Sequence, residues 1–151
     1  MDSTAPEITS IVGLEKEIIN AQEVTVKCIV YDTIGLKSIK VFVNDKLIGE
    51  EITDFTTDLN NYEGSCTIKE SSDAQKVRIE VEDLAGNTTN TDAEDFNSEY
   101  VFNKTVTVST NLFVRWYANK PLFWVSVGGV VVLIGAIFFF VAYKRKKKEE
   151  K

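Results

Sequence analysis

The chain has 151 residues, of which 17 are basic and 23 are acidic, and it contains no histidine. Six basic and two acidic residues lie in the last eight positions, so residues 1–143 carry a net charge of −10. That charge argues against nucleic acid or an anionic lipid surface as the partner of this larger part. Without histidine, and without a phosphate-binding loop, nucleophile elbow or metal-spaced cysteine set, we expect a protein that is not an enzyme.

Most of the chain before residue 110 alternates apolar and polar residues with the period of two that is typical of β-strands. In residues 23–31, Val24, Val26, Cys28 and Val30 share one face. The predicted strands are residues 8–13, 23–31, 37–44, 46–52, 62–69, 76–83 and 101–109. About seven short strands in a single domain predict an all-β fold, an antiparallel sandwich of two sheets of the immunoglobulin type.

The boundaries of these strands resemble those of a known family. Residues 2–8 read Asp-Ser-Thr-Ala-Pro-Glu-Ile, similar to the D-x-T-A-P-x-I opening of bacterial immunoglobulin-like repeats from Gram-positive surface proteins. Residues 30–41 and 81–87 resemble the same family, in which a strand leads through an Asp and a Gly-containing turn into the next strand. The resemblance implies modules that occur in tandem, as stalks or adhesive units of the cell surface. Residues 111–123 look like the membrane-proximal end of clostridial surface proteins.

Four acidic residues are expected to meet at one pole of such a sandwich. The amino terminus and the loops after the second and sixth strands share that pole, which gathers Asp2, Glu7, Asp32 and Asp83 at the end farthest from the membrane. Carboxylate oxygens are ligands that calcium prefers, so a weak calcium site is one interpretation. We favour the other, in which Asp32 and Asp83 accept hydrogen bonds from turn NH groups and no cofactor is needed.

The two cysteines, Cys28 and Cys66, have inward parity on the second and fifth predicted strands. Those strands are neighbours in one sheet, so a disulfide needs a directly opposed pair with alpha carbons less than about 6.8 Å apart. An oxidising exterior favours the bond, whereas two free thiols that fill core space are the alternative. Both interpretations stay open, and neither makes the cysteines catalytic.

A long acidic segment, residues 88–99, separates the last two predicted strands. We expect it to be either a loop that carries a binding surface or an irregular excursion from the sheet. Its charge predicts that it is exposed to solvent.

The juxtamembrane segment, residues 110–121, follows the last strand. Residues 112–119 are expected to form a short interfacial helix capped by Thr110 or Asn111. Aromatic residues on both sides of the following apolar segment predict the aromatic belts of a membrane interface. They are Trp116, Tyr117 and Trp124 on one side and Tyr143 on the other.

Residues 122–143 contain no charged side chain. As a helix they extend roughly 33 Å, enough to cross a bilayer core of about 30 Å. The small residues Gly128, Gly135 and Ala142 recur every seven positions on one face, but a monomeric anchor is expected because small residues are common in membrane helices. The residues predicted to define the anchor are Leu122, Trp124, Gly128, Gly135, Tyr143, Lys144 and Arg145.

The flanking charges predict how the helix crosses the membrane. Residues 144–151 carry a net charge of +4, whereas Arg115 and Lys120 alone flank the other end. Because positive residues stay in the cytoplasm, we expect a single-pass cell-membrane protein with residues 1–109 outside and the basic tail inside. Residues 118–122 do not match the L-P-x-T-G sorting motif, so the anchor is expected to remain uncleaved.

The first six residues have neither the basic nor the apolar region of a signal peptide. We therefore expect the chain to be the carboxy-terminal part of a longer secreted protein. The predicted function is a non-catalytic surface module whose immunoglobulin-like domain anchors and spaces the preceding domains, in a stalk or adhesion role. Its partners are then the lipid bilayer and those domains, and no nucleic acid. One alternative is a module that recognises a protein or glycan through residues 88–99 or an exposed sheet face. The other is a tail-anchored cytosolic protein.

Overall fold

The computed structural model describes residues 2–96 and 102–149, which form two β-sheets and two helices. The first sheet has the order β1-β3-β7-β6. Its strands are β1 (Glu7–Val12), β3 (Glu23–Tyr31), β6 (Thr56–Asp58) and β7 (Asn61–Lys69). All of its pairings are antiparallel.

The second sheet has the order β2-β10-β8-β4-β5, with β9 also paired to β8. Its strands are β2 (Ile18–Ile19), β4 (Leu36–Val43), β5 (Lys46–Leu47), β8 (Gln75–Asp83), β9 (Thr88–Asn90) and β10 (Thr105–Val108). The pairing of β2 with β10 is parallel, whereas β8 is antiparallel to each of its three neighbours. β9 and β10 lie one after the other along the same edge of β8.

The core contains the inward faces of both sheets. In β3, Val26, Cys28 and Val30 are buried, and in β8 the buried apolar residues are Val77, Ile79 and Val81. Together with residues of β1, β4, β7 and β10 they form a single hydrophobic cluster. The alternation predicted from the sequence therefore places the correct faces inward, and the prediction of an all-β domain is confirmed at that level.

Several strand boundaries differ from the predictions. Of the predicted strand 46–52 only Lys46–Leu47 is a strand, because the chain turns at Gly49 with a φ of 64° and rejoins at an isolated bridge between Ile52 and Ile39. The short strands β2, β6 and β9 were not predicted, since two or three residues are too few to reveal a period. Within the predicted strand 101–109, the strand in the structure is Thr105–Val108. Residues 97–101, and residues 150–151 of the tail, lie outside the described residues.

Two helices follow the sheets: α1 (Leu112–Ala118) and α2 (Lys120–Glu149). Asn111 caps α1 through its Oδ1, which accepts hydrogen bonds from the backbone NH groups of Phe113 at 2.9 Å and Val114 at 3.5 Å. The predicted short helix and one of its two predicted caps are thus confirmed. Asn119 caps α2 in the same way, accepting from the backbone NH of Leu122 at 3.3 Å. Pro121 is tolerated because the first turn of a helix leaves its NH groups without intrahelical partners.

The chain divides into two compact units, Met1–Arg115 and Trp116–Lys151. The first contains both sheets and their shared core, and the second contains the end of α1 and all of α2. The predicted boundary between domain and juxtamembrane segment, at residue 109, lies six residues before this division.

Placing a charge in the core tests the face assignment. Val26→Asp or Ile79→Asp should unfold the domain, because each buries an unpaired carboxylate at a cost of several kcal/mol against a total stability of about 5–15 kcal/mol. Thermal unfolding followed by circular dichroism checks this. Thr25→Asp, which adds the same charge to the exposed face of β3, is the matched control and should retain a cooperative transition. A wild-type melting temperature in the Val26 or Ile79 variant would contradict the assignment.

Candidate functional site

The amino-terminal arm, residues 2–6, is held against the turn between β8 and β9. Asn87 donates from its Nδ2 to the backbone carbonyl oxygens of Asp2 at 3.3 Å and Thr4 at 3.2 Å. Thr89 donates from its hydroxyl to the carbonyl oxygen of Pro6 at 2.5 Å. These bonds fix Asp2 beside the end of β8, and they explain why the arm needs Asn and Thr on the facing turn.

Asp32 follows β3 and organises the turn into β4. Its Oδ1 accepts hydrogen bonds from the backbone NH groups of Ile34 at 2.9 Å and Gly35 at 2.7 Å. Gly35 has a φ of 129°, and a Cβ at this position would lie 2.9 Å from Cδ1 of Leu84. Glycine is therefore required for the turn, and the Asp-x-x-Gly sequence of residues 32–35 acts as one unit.

Asp83 is the last residue of β8 and is fully buried. Its Oδ1 accepts from the backbone NH of Asn87 at 2.8 Å, and its Oδ2 accepts from the Asn87 side chain at 2.7 Å. Burial alone would raise the pKa of this carboxyl, but bonds from the side chain and NH of Asn87, with the NH groups of Ala85 and Gly86, hold the pKa below its usual value. Asp83 is therefore an ionised carboxylate at neutral pH.

Three of the four predicted acidic residues come together. Asp2, Asp32 and Asp83 each offer a carboxylate oxygen, and these oxygens lie within 4.8 Å of one another. We name this group the acidic pole. Glu7, the first residue of β1, is exposed to solvent and is not among the residues of this group. The prediction that included Glu7 is corrected, whereas the prediction that Asp32 and Asp83 accept hydrogen bonds from turn NH groups is confirmed.

The acidic pole has part of what a calcium ion needs. Oδ2 of Asp2 is buried and has no hydrogen-bond partner among the described residues, so one oxygen remains free to bind a cation. Calcium takes six to eight oxygen ligands, however, and Asp32 and Asp83 already accept two or more hydrogen bonds each. The three carboxylates alone therefore supply fewer free oxygens than calcium takes.

Exposed apolar side chains lie on two loops that carry the acidic pole and on the adjoining turn between β6 and β7, a feature that sequence reasoning missed. The exposed fractions are 49% for Ile34, 87% for Leu59 and 64% for Leu84. Their loops are joined by backbone hydrogen bonds from Asp32 to Asn60 at 3.0 Å and from Leu84 to Gly35 at 2.9 Å. The available signal was the presence of apolar residues in or next to these turns, since turns normally carry polar residues.

The structure does not form the candidate disulfide. In the pairing of β3 with β7, Val26 lies opposite Cys66 and Gly64 lies opposite Cys28, so the two thiols are offset by two residues. Both cysteines are free. Burial, followed by the proximity of Cys66, raises the pKa of Cys28 to about 12, and burial raises the pKa of Cys66 to about 11. Thiols with such high pKa values are unreactive core residues.

Residues 88–99 were predicted to be an acidic loop or an irregular excursion. They begin with strand β9, so the prediction is partly wrong. Thr91, which follows β9, is fully buried, and its hydroxyl accepts a hydrogen bond from the backbone NH of Ile79 at 3.0 Å. Lys104 donates from its Nζ to the carbonyl oxygen of Thr91 at 2.6 Å. Thr91 and Lys104 therefore lie together at the edge of β8, and residues 97–101 between them lie outside the described residues.

A groove with a volume of about 540 Å³ lies between the amino-terminal arm and β9. Pro6 and Glu7 line one side, whereas Thr89, Ala93 and Phe96 line the other. The groove lies between one strand of each sheet, because among the described residues β1 is at the edge of the first sheet and β9 pairs only with β8.

The second candidate site is α2, the one helix in the described part of the chain that is long and apolar enough to cross a membrane. Its apolar side chains are exposed along its length, for example 76% of Phe139. A Cβ added at Gly128 or Gly135 would meet nothing within 4 Å. The helix continues past Tyr143 through the basic residues to Glu149, and Lys144 lies over the Phe140 ring at 4.8 Å. All seven residues predicted to define the anchor are in this helix.

Comparison with known proteins adds no relationship to these observations. No family model matches the sequence, and no match was found among curated proteins.

The lowered pKa of Asp83 predicts how acid affects stability. Since the carboxyl is less easily protonated in the folded chain than in the unfolded chain, its contribution is present above about pH 4 and is lost as pH falls through the folded pKa. Asp83→Asn should therefore lower the melting temperature at pH 7, and the difference from wild type should shrink in more acidic solution. Melting temperatures between pH 2.5 and 7 check this. A difference that stays constant across the range would contradict the assignment.

The acidic pole also predicts weak calcium binding. Calorimetric titration of residues 2–109 with calcium should give a Kd of about 1 mM or weaker, because the unit supplies three carboxylates and most of their oxygens already accept hydrogen bonds. Micromolar affinity that is lost in Asp2→Asn and kept in Glu7→Gln would contradict this, and would identify the acidic pole as a complete calcium site.

Proposed function

We propose that this chain is a non-catalytic surface module, in which a single helix anchors an immunoglobulin-like domain just outside the cell membrane. The observation that carries the proposal is α2, with its exposed apolar surface and basic end. Such a surface is stable in lipid and unstable in water.

The order of the strands supports an immunoglobulin-like assignment. Domains of that type place strands A, B, E and D in one sheet and C, F and G in the other. Reading β1, β3, β7 and β6 as A, B, E and D reproduces the first sheet. Reading β4 as C, β8 as F, and β9 with β10 as an interrupted G reproduces the second. The resemblance of residues 2–8, 30–41 and 81–87 to bacterial immunoglobulin-like repeats supports the same assignment.

The charges at the two ends of α2 support an outward-facing domain. Five basic residues follow one another from Lys144 to Lys148, directly after the apolar segment. Positive residues near the end of a spanning helix stay in the cytoplasm, which leaves residues 1–109 outside.

The role as a spacer is supported by where the chain enters and leaves the first unit. Asp2 lies at the Asp83 end of β8, whereas Val108 donates to the Gln75 side chain at the other end of that strand. Roughly 27 Å of strand separates these ends. Thr110 is held at the second end by Glu70, which accepts from its NH at 3.1 Å and its hydroxyl at 2.9 Å.

The proposed partner of the acidic pole is the domain that precedes this one in a longer chain. Ile34, Leu59 and Leu84 would be covered by that neighbour, and the carboxylates of the pole would face its edge. A folded neighbour that buries these three side chains gains roughly 1.5–3 kcal/mol for each one that it covers fully.

A second candidate function is recognition of an extended peptide or a glycan, and the groove between the arm and β9 favours it. Among the described residues, β1 and β9 each pair with one strand only, which favours binding of an extended peptide by strand addition.

Protease treatment tests the topology. Trypsin added to intact cells should remove the residues before about 115 and leave an epitope at residues 144–151 intact, because the bilayer protects the cytoplasmic side. Permeabilised cells are the control and should lose the epitope as well. Protection of the outer domain on intact cells would contradict the proposal and favour a tail-anchored protein. Loss of the epitope, with the domain attached covalently to the cell wall, would identify a cleaved sorting signal instead.

A further inference from the structure

The junction of α1 and α2 contains a compact cluster of aromatic rings within the second unit. The rings belong to Trp116, Tyr117, Phe123 and Trp124, and we call them the aromatic cluster. The Phe123 ring lies at the centre, with its centroid 4.8 Å from that of Trp116, 5.1 Å from that of Tyr117 and 5.4 Å from that of Trp124. Contacts at these separations stabilise a defined arrangement of the rings.

One hydrogen bond fixes the position of Trp116 along α2. Its indole Nε1 donates to the hydroxyl of Ser126 at 3.2 Å, and Ser126 in turn donates to the backbone carbonyl of Leu122 at 2.7 Å. Ser126 lies six residues after the start of α2, a rise of about 9 Å along the axis. The indole of Trp116 is therefore level with the second turn of α2, although Trp116 precedes the helix in sequence.

This bond also satisfies the Trp116 indole NH and the Ser126 hydroxyl without water. Ser126 is the only residue with a hydroxyl group between Leu122 and Ala142, and an unpartnered hydroxyl is costly to transfer into an apolar layer. Here the hydroxyl both donates and accepts, and the indole NH has an acceptor. The second turn of α2 can thus lie at the edge of the hydrocarbon layer with Trp116 beside it.

Lys120 marks the other side of the cluster. Its ammonium lies 3.7 Å from the Tyr117 centroid and 5.9 Å from the Phe123 centroid. Cation–π contacts keep the charge close to the rings while its long stem lets it reach toward lipid phosphates. A charged group beside aromatic rings, followed along α2 by apolar residues, matches the order of layers at a membrane interface.

We propose that the aromatic cluster is a preformed anchor for the outer lipid interface, with Trp116 at the depth of Trp124. This rests on the proposed function, since it requires α2 to span the bilayer. In a straight continuous helix, eight residues would instead place Trp116 about 12 Å farther from the bilayer centre than Trp124. The two arrangements therefore differ in a measurable depth.

The sequence contains two tryptophans, Trp116 and Trp124. The fluorescence of each can therefore be measured alone in a variant that lacks the other. Full-length Trp124→Phe and Trp116→Phe proteins are placed in phosphatidylcholine vesicles that carry bromine at different positions along the acyl chains. The depth of each tryptophan follows from the quenching of its fluorescence. We expect the two depths to agree within about 3 Å, which is two residues of helix rise.

Variants at residue 126 test whether the hydrogen bond sets the depth. Ser126→Ala in the Trp124→Phe background removes the acceptor, so Trp116 should move toward water, with weaker quenching and emission at longer wavelength. Ser126→Thr keeps a hydroxyl and should retain the original depth. Unchanged depth in Ser126→Ala would overturn the role of the bond.

The possible failures have different signatures. A Trp116 that is about 8 Å or more shallower than Trp124, in protein that floats with the vesicles, would overturn the interface anchor and leave the spanning helix intact. Protein that does not float, with neither tryptophan quenched, would overturn the membrane-anchored function and the inference together.

Discussion

The apolar surface of α2 is the constraint on which the rest of this protein depends. Large side chains such as Phe138 and Phe139 are exposed along the helix, and no residue of the helix is buried. In water, exposed apolar area costs about 25 cal/mol per Å², so a helix of this kind is driven into lipid. In the proposed function the bilayer is the partner that covers this apolar surface.

The acidic pole depends on a second, smaller interaction. Asn87 donates to Asp83, Asp2 and Thr4, and so connects the end of β8 to the arm that leads into β1. The same side chain keeps Asp83 ionised and brings Asp2 close to it. The structural task of closing the sandwich at this end and the concentration of negative charge therefore have a common cause, which is why hydrogen bonding to turns explains most of the pole without any ion.

How far the sequence predicts this structure depends on the length of each pattern. The nine residues of β3 alternate with Ile29 as the one apolar exception before the terminal Tyr31, and their predicted bounds agree with Glu23–Tyr31. β9 consists of Thr88, Thr89 and Asn90, which show no alternation, so the sequence does not predict it. These residues form a strand because they pair with the edge of β8. Parity placed Cys28 and Cys66 on the inward faces, but the register between β3 and β7 is set by distant pairings that a single strand does not reveal.

The candidate site residues also differ in how far the sequence predicts them. Asp32 and Asp83 could be predicted together, because each ends a strand at a recognisable turn and the topology brings those turns to one end. Glu7 was included because it is close to Asp2 in sequence, yet one strand residue is enough to turn its side chain to solvent. The contact of Trp116 with Ser126 could not be predicted, since it depends on the angle between two helices at Asn119 and no periodic pattern encodes that angle.

The parallel pairing of β2 with β10 affects how the first unit would respond to a pull on its two ends. A pull applied between Asp2 and Thr110 draws β2 and β10 in opposite directions along their own axes. The bonds from Thr107 to the carbonyl of Glu17 at 2.7 Å and from Ser109 to the carbonyl of Ile19 at 3.0 Å are then loaded in shear, at the same time. Bonds that must break together resist force better than bonds that open one after another. The pairing of this two-residue strand with β10 should therefore resist extension of the first unit.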